Sequence, residues 1–239
     1  MQVSAARRPG RGHRRVGQPC QDAFASRHVP ERGAVVFAVA DGLGSCPLSH
    51  IGSEVAVRAA VERMAAEARW DVRAMLRTFR AARRAVRLEA ATRGVPVRQL
   101  STTLQVGVLS PDGAVAGMVG DGAMVAGGSA HDVMLAPAAA GYANEVAPLT
   151  ARWWRLHFQY AERPDARWMT GFTDGLTRLL LARAGGAWTP YQPFWDVFVP
   201  KLAARPLDGL VERLLAADNV DSSWDDDKCL VAVVQHAGA

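Results

Sequence analysis

The hydrophobic pattern changes period several times along the chain, and each change predicts an element. Residues 34–40 (AVVFAVA) form a continuous apolar run, β-branched at three positions and stopped by Asp41-Gly42. Such a run predicts a strand buried on both faces. From 49 to about 69 the period becomes helical. Val57, Val61, Met64 and Ala68 share one side, while Glu54, Arg58 and Glu62 share another at i, i+4 spacing. A second helix is predicted from about 71 to 92, with Leu76, Phe79, Ala82 and Val86 inward and Gly94 and Pro96 ending it.

The middle of the chain alternates as antiparallel strands do. Residues 102–109 and 114–119 flank Ser-Pro-Asp-Gly at 110–113, a sound hairpin turn. Short strands are predicted at 123–126 and 131–135, a loop rich in Ala, Gly and Pro at 136–148, and further strands at 153–160 and 167–172. Helices are predicted at 175–184, 191–204 and 206–217, an acidic loop at 218–227 and a last strand at 229–235. At the other end, residues 1–6 suit a short strand, followed by a Gly/Arg/Pro turn through Gly17. Neither a linker nor an internal repeat interrupts the series, so one α/β domain over 1–239 is expected.

Composition narrows the class. Hydrophobic residues make up 49% and charged residues 21%, which fits a globular chain with a real core. No apolar run approaches the roughly 20 residues that span a bilayer, and no apolar stretch follows the N-terminal arginines, so no membrane partner and a cytoplasmic location are expected. The formal charge of +5 is matched by Arg7, Arg8, Arg11, Arg14 and Arg15, because no acidic residue precedes Asp22. A second basic feature, Arg73, Arg77, Arg80, Arg84 and Arg87, falls on one helical stripe: a solvated face, or a docking surface for an acidic partner. Aromatic residues are not interleaved with either group, which argues against nucleic acid. Cys20, Cys46 and Cys229 are too scattered for a disulfide framework or a zinc knuckle.

The candidate chemistry lies in aspartates placed where strands meet turns: Asp22, Asp41, Asp121, Asp174 and the run Asp225-Asp226-Asp227. In three cases, Asp41-Gly42, Asp121-Gly122 and Asp174-Gly175, glycine follows, letting the backbone turn sharply and approach a bound ion. Converging carboxylates repel one another and resist ionisation. Divalent cations remove that conflict, and an all-oxygen donor set selects hard ions such as Mg²⁺ or Mn²⁺ rather than zinc. Two such ions acidify a bridging water and clamp the oxygens of a phosphate ester.

The order Cys-Gln-Asp-Ala-Phe (20–24), Val-Ala-Asp-Gly-Leu-Gly-Ser (39–45), Ser-Thr-Thr-Leu (101–104), Val-Gly-Asp-Gly (119–122), Thr-Asp-Gly-Leu (173–176) and Asp-Asp-Lys-Cys-Leu-Val-Ala-Val-Val (226–234) resembles the type 2C protein serine/threonine phosphatases, most of all their compact bacterial branch. The resemblance runs from Val3 to Val234. It implies an α+β fold, a four-layer α-β-β-α sandwich of two antiparallel sheets flanked by helices. It also implies hydrolysis of phosphoserine and phosphothreonine by a water activated between two metal ions, Mn²⁺ or Mg²⁺, with a possible third. On this resemblance Asp41 bridges the core metals and the Gly42 carbonyl binds one of them. Asp174 and Asp226 complete the other metal's shell, with Asp225 and Asp227 as alternatives for the last ligand. Asp22 holds a metal-bound water, and Asp121 with Asp174 holds the third ion; Asp22, Asp41 and Asp174 are the catalytic set. Arg14 and Arg15, with His13 beside them, lie where the family keeps its phosphate-binding arginine.

The chain departs from the family pattern at several places. Leu43 stands at a position sometimes occupied by a His proposed as the leaving-group acid, and Ser45 ends the Asp-Gly-x-Gly-Gly motif. Gly-Asp-Ser becomes Gly-Asp-Gly, and Asp-Asn-x-Thr becomes Asp-Asp-Lys-Cys. The three cysteines fall inside or beside the metal motifs, either as small core residues or as a point where oxidation stops activity. The expected partners are a phosphoprotein substrate and a cognate serine/threonine kinase, with the protein itself a monomer. Two rival readings stay open at this point: a phosphatase-like scaffold or sensor, and a phosphoesterase for nucleotides or small phosphates.

Overall fold

A computed structural model describes residues 1–128, 130–137, 147–204, 206–221 and 225–236. In chain order the first half comprises β1 (Gln2–Arg8), α1 (Arg11–Val16), β2 (Ala23–Val29), β3 (Ala34–Ala40), α2 (Ser49–Ala65), α3 (Val72–Thr92), β4 (Leu104–Ser110) and β5 (Gly113–Val119). The second half comprises β6 (Ala123–Gly127), β7 (His131–Leu135), β8 (Gln159–Arg163), β9 (Trp168–Phe172), α4 (Thr177–Leu180), β10 (Leu181–Ala184), β11 (Ala187–Pro190), α5 (Gln192–Ala203), α6 (Leu210–Ala216), α7 (Asp218–Asp221) and β12 (Lys228–Val234). Most of the loop expected at 136–148 lies outside the described residues.

Two five-stranded sheets, ordered β2-β3-β4-β5-β8 and β1-β12-β9-β6-β7, pair antiparallel throughout. Strand β3 explains how they stack. Its side chains alternate between faces: Val35, Phe37 and Val39 enter the core shared by the two sheets, while Val36, Ala38 and Ala40 enter the core under α2 and α3. Strand β12 repeats the division, with Val231 and Val233 between the sheets and Leu230 and Ala232 beneath α5 and α6. A continuous apolar run is thus the signature of a strand with a neighbour on each side, and the four α-β-β-α layers follow. Each fully buried large side chain, such as Phe37 or Trp195, contributes roughly 1.5–3 kcal/mol.

Several segments differ from the sequence reading. The turn expected through Gly17 contains helix α1, closed by Gly17 at φ 67°. It buries none of its residues and is tied down from afar, Gly12 N–H donating to the Asp225 carbonyl at 3.1 Å. The strand expected at 153–160 opens instead as a 3-10 turn, Trp154–His157, and pairing begins only at Gln159. The turn swings Trp154 inward to stack on Phe79, ring centres 6.1 Å apart. The helix expected at 175–184 is a 3-10 turn and one turn of α-helix, followed by the hairpin β10–β11 around Gly185-Gly186, both at positive φ. The acidic stretch 218–227 begins with helix α7 rather than a loop. Strand β2 has no counterpart in the pattern, because three consecutive exposed residues at an edge position erase its alternation.

Candidate metal and catalytic centre

Antiparallel pairing brings the aspartates together. Ala23 pairs with Ala40, so the start of β2 and the end of β3 lie side by side, with Asp22 and Asp41 one residue beyond. Leu104 pairs with Val119, which carries the β5–β6 turn and Asp121 to the same end. In the other sheet Phe172 pairs with both Ala123 and Leu230, placing Asp174 and the run before β12 there too. Five loops from two sheets meet at one edge of the sandwich.

Carboxylate oxygens of Asp41, Asp121 and Asp174 lie within 4.8 Å of one another. They line a cavity of about 240 Å³ shared with His13, Gln21, Thr103 and Asp226. Asp41 is pinned through its backbone: its N–H donates to Thr103 Oγ1 at 2.9 Å, and its carbonyl accepts from Thr103 N at 2.8 Å and Thr102 Oγ1 at 2.9 Å. Asp22 is 1% exposed, with Oδ2 accepting from Thr173 Oγ1 at 2.8 Å. The Oδ1 atoms of Asp22 and Asp121 are buried and accept no hydrogen bond. Burial, and then the neighbouring negative charges, push Asp174 up to about 7; Asp22 and Asp41 are raised in the same direction, burial again being the largest cause. A cluster of three carboxylates, with orphaned carboxylate oxygens beside it and unrelieved repulsion, fits divalent cations.

The glycines that follow these aspartates have a different reason from the one expected. None of Gly42, Gly122 and Gly175 has a positive φ. What they provide is room. A Cβ on Gly42 would lie 2.8 Å from the Ser49 Cβ and 2.9 Å from the Gln21 carbonyl oxygen, and one on Gly175 would collide with the Asp227 carbonyl oxygen. Close approach of the loops, not turn geometry, excludes a side chain there.

The acidic run resolves into separate environments. Asp226 and Asp227 both line the cavity, and Asp225 does not. Asp227 is 2% exposed, and its carboxylate accepts from Gly10 N at 2.7 Å and Gln21 N at 2.6 Å while also holding His13 Nδ1 at 2.9 Å. Asp225 is exposed and contributes its carbonyl to Gly12. On the side expected to meet phosphate, His13 lines the cavity, whereas Arg14 and Arg15 do not. Arg14 forms a two-pronged pair with Asp221 at 2.8 and 2.9 Å and also donates to the Pro9 carbonyl. Arg15 is exposed. Burial, then the Asp22 charge, pushes the thiols of Cys20 and Cys229 up, away from the reactive thiolate. The roles of Thr103 and Asp227 went unread in the sequence; the Ser-Thr-Thr-Leu segment was visible as a motif, but nothing local said that its hydroxyls clamp Asp41.

Residues 9–216 match the family model for protein phosphatase 2C. The chain belongs to the protein phosphatase 2C family. It is therefore a protein phosphatase, acting on phosphoproteins, and the family works with divalent metal ions, for which the Asp41, Asp121 and Asp174 triad is suited. The chain is 29% identical to serine/threonine-protein phosphatase 3 of Escherichia coli K12, over 92% of this chain and 93% of that protein. The serine/threonine phosphatase Stp1 of Staphylococcus aureus shares the fold with a TM-score of 0.64 at 11% identity, covering 99% of this chain and 96% of Stp1. PppA of Pseudomonas aeruginosa, a key regulatory component of T6SS in that organism, shares it with a TM-score of 0.60 at 19% identity over 98% of both chains. Among the described residues no helix of this phosphatase is long and apolar enough to cross a membrane.

Proposed function

We propose that this 2C phosphatase hydrolyses phosphoserine and phosphothreonine as one domain spanning 1–239, in the cytoplasm and in opposition to a serine/threonine kinase. In this reading Asp41, the Gly42 carbonyl, Asp174 and Asp226 hold two core cations, and Asp121 with Asp174 holds a third. The observation that carries it is the meeting of the Asp41, Asp121 and Asp174 carboxylates within 4.8 Å, beside buried Oδ1 atoms that accept nothing from the protein. The all-oxygen donor set suits Mg²⁺ or Mn²⁺, which when bound supply the positive charge that acidifies water and steadies phosphate oxygens. The serine/threonine preference is supported by the name of the E. coli relative.

The chain's own residues divide the remaining work. Asp22 Oδ1 is the acceptor available to orient the attacking water, because Thr173 occupies only Oδ2. Thr102 and Thr103 keep Asp41 from relaxing away from its neighbours. His13, held through Nδ1 by Asp227, is the basic group offered to the substrate phosphate, in preference to Arg14 and Arg15. Asp226 is the ligand of the acidic run because it lines the cavity, which Asp225 does not, while the carboxylate of Asp227 is engaged in three hydrogen bonds.

The test compares a phosphothreonine peptide, a phosphotyrosine peptide and a nucleoside triphosphate as substrates, with Mn²⁺, with Mg²⁺ and with chelator. Metal-dependent turnover of the phosphothreonine peptide, abolished in Asp41→Asn and Asp174→Asn, is expected. Turnover confined to the nucleotide, or full activity of either variant, overturns the proposal.

A further inference from the structure

Helix α3 gathers charge of the opposite sign. Of its stripe of arginines at 73, 77, 80, 84 and 87, only Arg77 meets an acid among the described residues, donating to Glu67 Oε2 at 2.6 Å. Arg80, Arg84 and Arg87 instead line an open cleft of about 400 Å³ together with Arg83, Arg155, Leu88 and Trp154. The opposite wall is the 3-10 turn Trp154–His157. Arg83 is held in place, its Nη2 donating to the Thr150 and Ala151 carbonyls at 3.3 and 3.4 Å, while its buried Nε has no partner. Burial, and then the charges of Arg87 and Arg155, pull the Arg83 guanidinium below its ordinary value. The positive charge of this cleft is therefore not balanced from within.

The cleft also carries an exposed apolar side chain. Leu88, which lines it, is 66% exposed, and the adjoining turn has Trp153 at 61% and Leu156 at 79% outside the lining. We propose that the cleft docks an acidic amphipathic helix of a partner protein, its carboxylates meeting Arg80, Arg84 and Arg87 and its apolar side chains seated on Leu88. The spacing argues for a helix. Steps of four and three residues place the three arginines along one line of α3 over about 10 Å, and acids at i, i+4 and i+7 of a second helix match that line. Nucleic acid fits the cleft less well, because base stacking needs an open aromatic face, and the aromatic that lines it, Trp154, is 4% exposed, while the exposed Trp153 does not line it. A flat bilayer fits less well too: the cleft is concave, and Ala82 and Val86 anchor the inner face of α3 in the core, so the helix cannot roll an apolar side toward lipid.

The test uses the full chain and a synthetic helical peptide of about five turns, with Glu at i, i+4 and i+7 flanking a Leu stripe. Calorimetric titration is expected to show binding that weakens with salt, falls at least about tenfold in Arg84→Glu/Arg87→Glu and falls about threefold in Leu88→Ala. Hydrolysis of a small aryl phosphate by the same variants is expected to stay unchanged, which separates loss of docking from damage to the acidic centre. Should charge reversal disturb folding, Arg84→Gln/Arg87→Gln is expected to give the same loss in milder form. The proposal is overturned by any of three results: affinity indifferent to both double variants, equal binding of a peptide whose Leu residues are replaced by Ser, or tighter, Arg84-dependent binding of anionic vesicles or a uridine oligonucleotide.

Discussion

Glu67 and Asp174 are both carboxylates drawn away from water, yet their surroundings move them in opposite directions. Glu67 follows α2, its side chain 7% exposed, and takes hydrogen bonds from Arg77 and Arg63, each with a contact at 2.6 Å. The bond from Arg77 is the largest reason that its carboxyl lies below the ordinary value. At the end of β9, Asp174 meets Asp121 and Asp226 instead, and burial followed by their charges lifts it to about 7. One region supplies its own counter-charge. The other concentrates negative charge and leaves it unmatched, which no purely structural role requires. That unmatched charge distinguishes a place built to receive cations from one built to hold the fold together.

The comparison is broken most directly at Asp41. Asp41→Asn should lower turnover of a phosphothreonine peptide by at least about 10³-fold, yet raise the stability of the protein in chelator by on the order of 1–3 kcal/mol, since it removes repulsion. Denaturant titration in chelator together with a phosphate-release assay checks both halves. A variant that is inactive and also less stable in chelator would place Asp41 with Glu67, as a structural residue.

The pH dependence sharpens the same point. The folded-state value of Asp174, about 7, exceeds its ordinary 3.8, so the folded chain binds more protons than the unfolded chain between those values. Its contribution to stability is therefore intact below about pH 4 and is lost as pH rises through 7, a difference on the order of 4 kcal/mol. Asp22 and Asp41 act in the same direction. Thermal melts in chelator should show a decline from pH 5 to 8 that is shallower in Asp174→Asn, and added Mg²⁺ should raise the melting temperature more at pH 8 than at pH 5. Identical slopes in the two proteins would remove the claim of unrelieved repulsion.

Smaller effects separate the neighbouring basic residues. His13→Gln should reduce kcat/KM on the phosphopeptide by about tenfold, whereas Arg14→Ala, whose partner is Asp221, should reduce it less than about threefold. The reverse order would return the phosphate to Arg14. Smallest is Glu67→Gln, expected to cost about 1 kcal/mol in a denaturant titration and to leave turnover intact, because Arg63 and Arg77 are each 45% exposed and regain water.

Much of this arrangement was legible in the chain. The run at 34–40, the helices α2 and α3, the hairpin at 110–113 and the final strand are written in local periodicity, and the order of the aspartate motifs led to the metal centre. What went unread has no local period. Strand β2 is recognisable only beside β3, and the segment after Trp153 turns because Phe79 lies within stacking distance of Trp154. The helix expected at 175–184 ended early because Gly185-Gly186 allow a tight hairpin, a signal that was present but outweighed by the helical propensity of the preceding residues.

By itself, then, the sequence determined which strands are buried on both faces, how many carboxylates reach strand ends and that glycine follows three of them, because side-chain alternation and covalent neighbours are local properties. Only the tertiary structure decided what those residues do. It joined His13 to Asp227 across 214 positions and Arg14 to Asp221 across 207, leaving the first at the cavity and withdrawing the second. It also showed that the glycines are there for space rather than for backbone freedom. The physical reason is common to all of these: each depends on two distant segments packed against each other, and such packing has no period for a sequence to display.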